Sequence, residues 1–199
     1  SYADVLPYFK RAEHNERGAD AFHGDSGPLN VKDLPDPNRH ARAFVEAGRQ
    51  AGYPLTSDFN GQHFEGLGLY QVTHRDGERF SAAKAYVTPN RGRANLHVVT
   101  HARATRVLFE GTRATGVEAR VDGGPPQRFD ARREVLLSAG ALQSAQLLML
   151  SGIGPADHLQ SLGLPVRADL PGVGQHLHDH IDLVTVVDAP QATDLFGVS

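Results

Sequence analysis

Residues 134–155, EVLLSAGALQSAQLLMLSGIGP, constrain this chain more than any other stretch. The apolar opening, Val135-Leu136-Leu137, predicts a strand covered on both faces. Four small residues follow, Ser138-Ala139-Gly140-Ala141. After them Leu142, Ala145, Leu148 and Met149 keep a helical spacing that stops at Gly152, with Pro155 close behind. Strand, small-residue turn and helix let a backbone lie flat against a bulky ligand. Larger side chains would hold the ligand away, and a helix N-terminus offers unpaired N–H groups to an anion. The same residues also suit a βα unit whose small side chains only let helix and strand pack closely. Both readings stay open at this level, because strand, turn and helix are common and a fold does not name a function.

Composition narrows the classes. Apolar residues make up 40% of the 199 positions, enough for one good core or for parts of two domains. A net charge of −3 gives no electrostatic case for nucleic acid or for an anionic membrane as partner. Cysteine is absent, which excludes a disulfide scaffold and thiolate metal sites and favours a cytoplasmic location, with peripheral membrane association still compatible. No apolar run approaches the ~18 residues a membrane span needs, and no charged-then-apolar leader stands at the start. The chain opens Ser1-Tyr2 and closes Phe196-Gly197-Val198-Ser199, so it reads as an internal piece of something longer.

Taken in order, residues 4–16 predict a helix with Asp4 as cap, Pro7 in the first turn, and Val5, Leu6, Tyr8, Phe9 and Ala12 on one face. A loop rich in turn formers, residues 22–29, leads to a short strand near Val31. Asp36-Pro37 predicts a helix start, with Ala41, Phe44, Val45 and Gly48 as the buried stripe and Gly52 as the stop. Asp58-Phe59-Asn60-Gly61 is a turn, and residues 66–74 and 79–80 flank Arg75-Asp76-Gly77-Glu78 as a hairpin. A short helix from Ser81 to Tyr86 follows. Strands are then expected over 96–100, 106–109 and 116–121, with a turn at Gly111-Thr112 and a return through Arg128-Phe129, the pattern of a strand feeding an antiparallel meander. Beyond residue 155 come a short helix over 157–162, a strand near Val166, the turn Pro171-Gly172-Val173-Gly174 and a strand over 182–187.

With those residues laid out, the chain closely resembles the glucose–methanol–choline (GMC) flavin oxidoreductases. Their second signature is matched by Gly140-Ala141, Ser144, Gln146-Leu147-Leu148 and Ser151-Gly152-Ile153-Gly154-Pro155, with Ala145 in place of the usual Pro. Pro suits the first turn of a helix and Ala is a good helix former, so that change shifts the helix start without abolishing it. Similarity extends along almost the whole chain: Leu6-Pro7-Tyr8-Phe9, Phe22-His23-Gly24 with Gly27-Pro28-Leu29, Asp58-Phe59-Asn60-Gly61, Arg79-Phe80-Ser81, and Leu170-Pro171-Gly172-Val173-Gly174 with Asp179-His180. His176 stands where the family usually has Asn. The choline- and alcohol-dehydrogenase branch is nearest.

The resemblance implies an α/β fold: an incomplete Rossmann-like FAD-binding domain joined to an antiparallel-sheet substrate domain. Residues 1–90 would be substrate-domain and connecting structure, 91–180 part of the FAD domain, and 181–199 the start of a second substrate-domain segment. It also implies FAD as cofactor, a small-molecule alcohol (choline-like or aliphatic) as substrate, and hydride transfer from its CH–OH group to the flavin. The backbone at Ala104 would meet the adenine edge, and Ser138, Ala139 and Gly140 would line the dinucleotide. No electron acceptor or oligomeric state is implied.

Absent features count as well. Gly66-Leu67-Gly68, Gly152-Ile153-Gly154 and Gly172-Val173-Gly174 each lack the third glycine of a dinucleotide-binding loop. In the family that loop precedes the region matching residue 1, and the catalytic His follows the region matching residue 199. No catalytic residue is therefore expected here, and the chain alone should neither hold FAD tightly nor oxidise alcohols.

Two rival classes stand beside this reading. His176, His178 and His180 alternate, and alternating histidines can converge on one face of a strand to bind zinc, as in a metal-dependent hydrolase. The dinuclear pattern needs one more residue than is present, and no later cluster completes it. A non-catalytic α/β module that binds a partner is the other rival. The remaining histidines are scattered surface or hydrogen-bonded positions, with His23 and His63 beside loop glycines where a substrate-domain role is open.

Overall fold

The computed structural model describes residues 1–186, in two compact units: Ser1–His97 joined by Val186, and Val98–Thr185. The family-implied segment 181–199 therefore falls largely outside the described residues.

The first unit opens with helix α1, Tyr2–Ala12. It starts two residues earlier than expected because Asp4 is not the cap; its carboxylate accepts from the Ser1 hydroxyl at 2.8 Å, within the first turn. Pro7 consequently lies inside the helix, where it removes one backbone donor. The helix also ends early. Residues 13–15 extend into strand β1, Glu13–Asn15, which pairs in parallel with β2, Leu29–Val31. Helix α2, Arg39–Gln50, is capped by Asn38, whose side-chain oxygen accepts from the His40 N–H at 2.8 Å, so the cap lies two residues beyond Asp36. Of its expected stripe Phe44 is exposed, whereas Gly48 packs so close to Leu67 that a Cβ would collide with that side chain. The hairpin is short: β3, His74–Arg75, and β4, Glu78–Arg79, flank Asp76 and Gly77 at φ 50° and 80°, as an Asp-Gly hairpin turn requires. Ala83–Val87 and Thr88–Asn90 form the short helical turns expected after Ser81.

What this unit buries is mostly polar. Asn15, His23 and Asn30 are buried beside Ala85, and each has hydrogen-bond partners. Asn30 reaches across to the His74 carbonyl at 2.8 Å and ties β2 to β3.

The second unit carries the meander: β5, Ala102–Glu110, β6, Arg113–Val121, and β7, Pro126–Asp130, in antiparallel order. Two bulges interrupt the β5–β6 ladder. Ala104 faces Ala119 and Arg106 faces Glu118, so Thr105 is an extra residue on β5; Leu108 faces Gly116 and Phe109 faces Ala114, so Thr115 is an extra residue on β6. Each hydroxyl reaches over the break, Thr105 to the Glu118 carbonyl at 3.1 Å and Thr115 to the Leu108 carbonyl at 3.4 Å. The stretch 96–100, expected as a strand, has no ladder partner; pairing starts only at Ala102.

Helix α3, Gly140–Leu150, packs on β5. Its C-terminal neighbour Ser151 accepts the Val107 N–H at 2.8 Å and donates to the Leu147 carbonyl at 2.6 Å. Ser151→Ala would strand the buried end of that N–H, and we expect a loss of about 1–2 kcal/mol, read by denaturant unfolding; an unchanged midpoint would contradict it. Strand β8, Ile153–Gly154, pairs in parallel with β9, Ala168–Asp169, around α4, Ala156–Ser161. The expected strand near Val166 is thus realised two residues later. Leu159 of α4 is 0% exposed and sits in this core with Val107, Ala119 and Leu147. Residues 182–186 form no strand, and Val187 lies outside the described residues.

The expected strand at Val135-Leu136-Leu137 is corrected too. No described residue pairs with it, and Leu136 is 78% exposed. A strand needs a ladder partner, and apolar content alone cannot supply one. The accessible surface makes the same point: the chain exposes 15606 Å², where a folded monomer of 21.5 kDa exposes about 9,200 Å². Much apolar surface is left without cover.

Candidate functional site

Small residues at 138–140 connect the unpaired segment to α3. Ser138, Ala139 and Gly140 are all exposed, and the Ala139 N–H donates to Ser144 Oγ at 3.1 Å. Gly140 has φ +86°, a conformation that side chains oppose, and a Cβ built on it would meet nothing within 4 Å. Close packing of helix on strand therefore does not explain this glycine, at least not within this chain. The first turn of α3 holds no acidic side chain, and among the described residues no capping side chain bonds to its first amides. The donor set suits an anionic group laid along the backbone.

Ala104 stands exposed on β5, next to the Thr105 bulge and opposite Ala119. It shares a unit with 138–140, and α3 links the two regions, but the bond between helix and strand is at the Ser151 end. No hydrogen bond joins Ala104 to Ser138, Ala139 or Gly140 among the described residues.

Sequence reasoning left one polar centre without a role. His23 is 6% exposed and has a carboxylate at each ring nitrogen: Nδ1 lies 3.0 Å from both Glu13 oxygens and Nε2 lies 2.9 Å from Asp58 Oδ2. Burial pulls the imidazole pKa down, but the hydrogen bonds and charges of Asp58 and Glu13 outweigh it and raise the pKa above its ordinary value. Asn15, 2% exposed, donates to Glu13 Oε1 and to Gln71 Oε1, both at 3.0 Å, and so fixes the Glu13 carboxylate. This centre lies on the wall of a cavity of about 650 Å³, whose aromatic lining includes Phe9, Phe22, Phe59 and Phe64. His63 remains exposed and gives its carbonyl to Thr56 Oγ1.

The alternating histidines do not assemble. His176, His178 and His180 are exposed, His176 at φ +56° breaks the extended run that would align them, and no group of three metal-ligating side chains converges among the described residues. Nothing in that geometry supports the hydrolase alternative.

Comparison with known proteins gives a consistent answer. A family model described as GMC oxidoreductase matches residues 1–182. The oxygen-dependent choline dehydrogenase of Sinorhizobium fredii is 50% identical over 182 residues, covering 92% of this chain and 33% of that protein. The mitochondrial choline dehydrogenase of Homo sapiens is 50% identical over 182 residues, covering 92% of this chain and 30% of that protein. Among solved structures, pyridoxine 4-oxidase from Mesorbium loti aligns at TM-score 0.78 and 36% identity over 86% of this chain and 34% of that one. An FAD-dependent oxidoreductase from Chaetomium thermophilum aligns at TM-score 0.72 and 25% identity over 86% and 32%. The chain spans about a third of the length of the relatives it matches.

Proposed function

The chain belongs to the GMC oxidoreductase family, and from that premise we propose that it forms an internal third of an FAD-dependent enzyme oxidising the CH–OH group of an alcohol. Choline-like alcohols lead, with aliphatic alcohols next. The observation that carries the reading is 50% identity over 182 residues to proteins named choline dehydrogenase. The FAD-dependent relative and the open turn at 138–140 support the cofactor.

The chemistry FAD supplies when bound is acceptance of a hydride from the carbinol carbon. This chain's share is positioning. Ser138, Ala139 and Gly140 would hold the dinucleotide by backbone contact, the amides at the start of α3 would face its negative charge, and the Ala104 backbone would border the adenine. Unit Val98–Thr185 would then serve the cofactor and unit Ser1–His97 the substrate. No side chain here is assigned to remove the hydroxyl proton. The absence of cysteine fits a reducing compartment such as the cytoplasm, and no helix among the described residues is long and apolar enough to cross a membrane.

The test uses the complete gene product. It should purify yellow, and anaerobic addition of choline should bleach the visible flavin absorbance, with simple aliphatic alcohols acting more slowly. A colourless product, or a flavin that no alcohol reduces, overturns the proposal.

A further inference from the structure

The polar centre around His23 joins two parts of the first unit that are distant in sequence. Glu13 belongs to β1, and Asp58 to the loop between Leu55 and Leu67, which is closed at its base by the Thr56 N–H on the Leu67 carbonyl and the Leu67 N–H on the Pro54 carbonyl. Inside the loop, Thr56 Oγ1 donates to the carbonyls of Asp58 and His63. Its other ties are few: Arg17 Nη1 donates to the Ser57 carbonyl at 2.7 Å, and the Phe59 ring lies 4.6 Å from that of Tyr70. The tip of the loop, Phe59, Asn60, Gly61, Gln62 and Phe64, lines the aromatic cavity.

Two acceptors, one on each ring nitrogen, are satisfied together only by an imidazole that carries both protons. A neutral ring must present a lone pair to one carboxylate. Glu13 keeps other donors in that event, Asn15 Nδ2 at 3.0 Å and the Gly24 N–H at 3.3 Å. Among the described residues Asp58 Oδ2 has His23 alone, while Oδ1 takes the Asn60 N–H at 2.9 Å within the loop itself. Asp58 is also the more exposed of the two carboxylates and can turn to water. Asn15 Nδ2 also lies 3.3 Å from Nδ1, but both Glu13 oxygens stay 3.0 Å from that nitrogen whereas Asp58 can turn away, so the proton to leave is the one on Nε2.

We propose that His23 is a proton-operated clasp: doubly protonated, it ties Asp58 and the 56–66 loop to β1, and loss of the Nε2 proton frees the loop and opens that wall of the cavity. The charged groups around the ring all bear on this balance. Glu13 faces it from β1 and Asp58 from the loop. Asp20 accepts the His23 N–H at 2.7 Å, and Lys10 of α1 reaches the Asp20 carbonyl. Arg17 sits between Ser57 and Asp33, with its guanidinium 2.7 Å from the Asp33 carboxylate. Two carboxylates against a single imidazole leave the centre short of positive charge when the ring is neutral. The raised pKa of His23 agrees in sign: the tie is complete below the ordinary histidine value of about 6.5 and is lost as pH rises through the higher folded-state value.

Hydrogen exchange read by mass spectrometry on the complete gene product tests this, at pH about 6 and about 9 with intrinsic rates corrected. Protection of peptides covering 56–66 should fall by about tenfold or more at the higher pH, as loss of a charge-assisted bond implies, while β5–β7 peptides keep theirs. In Asp58→Asn the step should vanish, because an amide can accept from or donate to Nε2 and serves both ring states. Flat protection in the unmodified protein, or the same step in Asp58→Asn, overturns the proposal. Should the variant fail to fold, the ring nitrogen chemical shifts of His23 in the unmodified protein decide: an imidazolium at the lower pH that loses its Nε2 proton at the higher supports the clasp, and a neutral ring at both refutes it.

Discussion

Purified by itself, the 199-residue chain should be colourless and inactive, while the complete gene product binds flavin. The helix N-terminus at Gly140 offers amides to an anion, but no glycine-rich loop stands beside it in the sequence, and Val135-Leu136-Leu137 has no strand against it. Leu136 and Leu142 flank the turn at 78% and 71% exposure, so the surroundings of the proposed cofactor face are unfilled. A surface of 15606 Å² also implies that the isolated chain binds hydrophobic dyes and associates. Absorbance of the purified chain and alcohol-dependent dye reduction are the measurements. Stoichiometric flavin retained through purification would show that the chain needs nothing further to build the site.

Gly140→Ala in the complete gene product should weaken flavin binding by about fivefold to 150-fold, because a methyl group pressed against a rigid ligand costs about 1–3 kcal/mol. Backbone strain must be separated from that effect, since φ +86° by itself penalises any side chain by about 1–2 kcal/mol. Gly163→Ala supplies the control. Gly163 has φ +70°, a Cβ there also meets nothing within 4 Å, and it follows α4 far along the chain from the turn. Both variants should lower thermal stability by similar amounts, and only Gly140→Ala should raise the flavin Kd. Equal flavin affinity in the two would mean that residue 140 touches no cofactor.

Legibility of the chain followed the range of the interactions. Where neighbours decide, the residues were readable: the Asp76-Gly77 turn, the β5–β7 meander and the end of α3 before Gly152 all depend on contacts a few positions apart. Cap positions slipped by three residues at α1 and by two at α2, since Ser1 and Asn38 competed successfully with Asp4 and Asp36 for the same role. The strand at 135–137 failed for a different reason. Its apolar residues are compatible with a buried strand, yet pairing requires a partner that composition does not reveal. His23 was visible only as a loop histidine beside a glycine, and its partners were not, because Glu13 and Asp58 lie 10 and 35 residues away with no periodicity to connect them. His176, His178 and His180 make the converse case, a clear pattern in one dimension that a left-handed residue scatters in three.

The paired threonine bulges have a consequence for how this hairpin tolerates insertion and deletion. Thr105 advances β5 by one place and Thr115 advances β6 by one, so Ala102 opposite Val121 and Glu110 opposite Arg113 keep a common frame, and only the segment between them is offset. They behave like two compensating frameshifts. Removing either alone would exchange inward and outward side chains on one side of the break, Ala104 among them if Thr105 were lost. Removing both would restore an uninterrupted ladder with its two ends still in step.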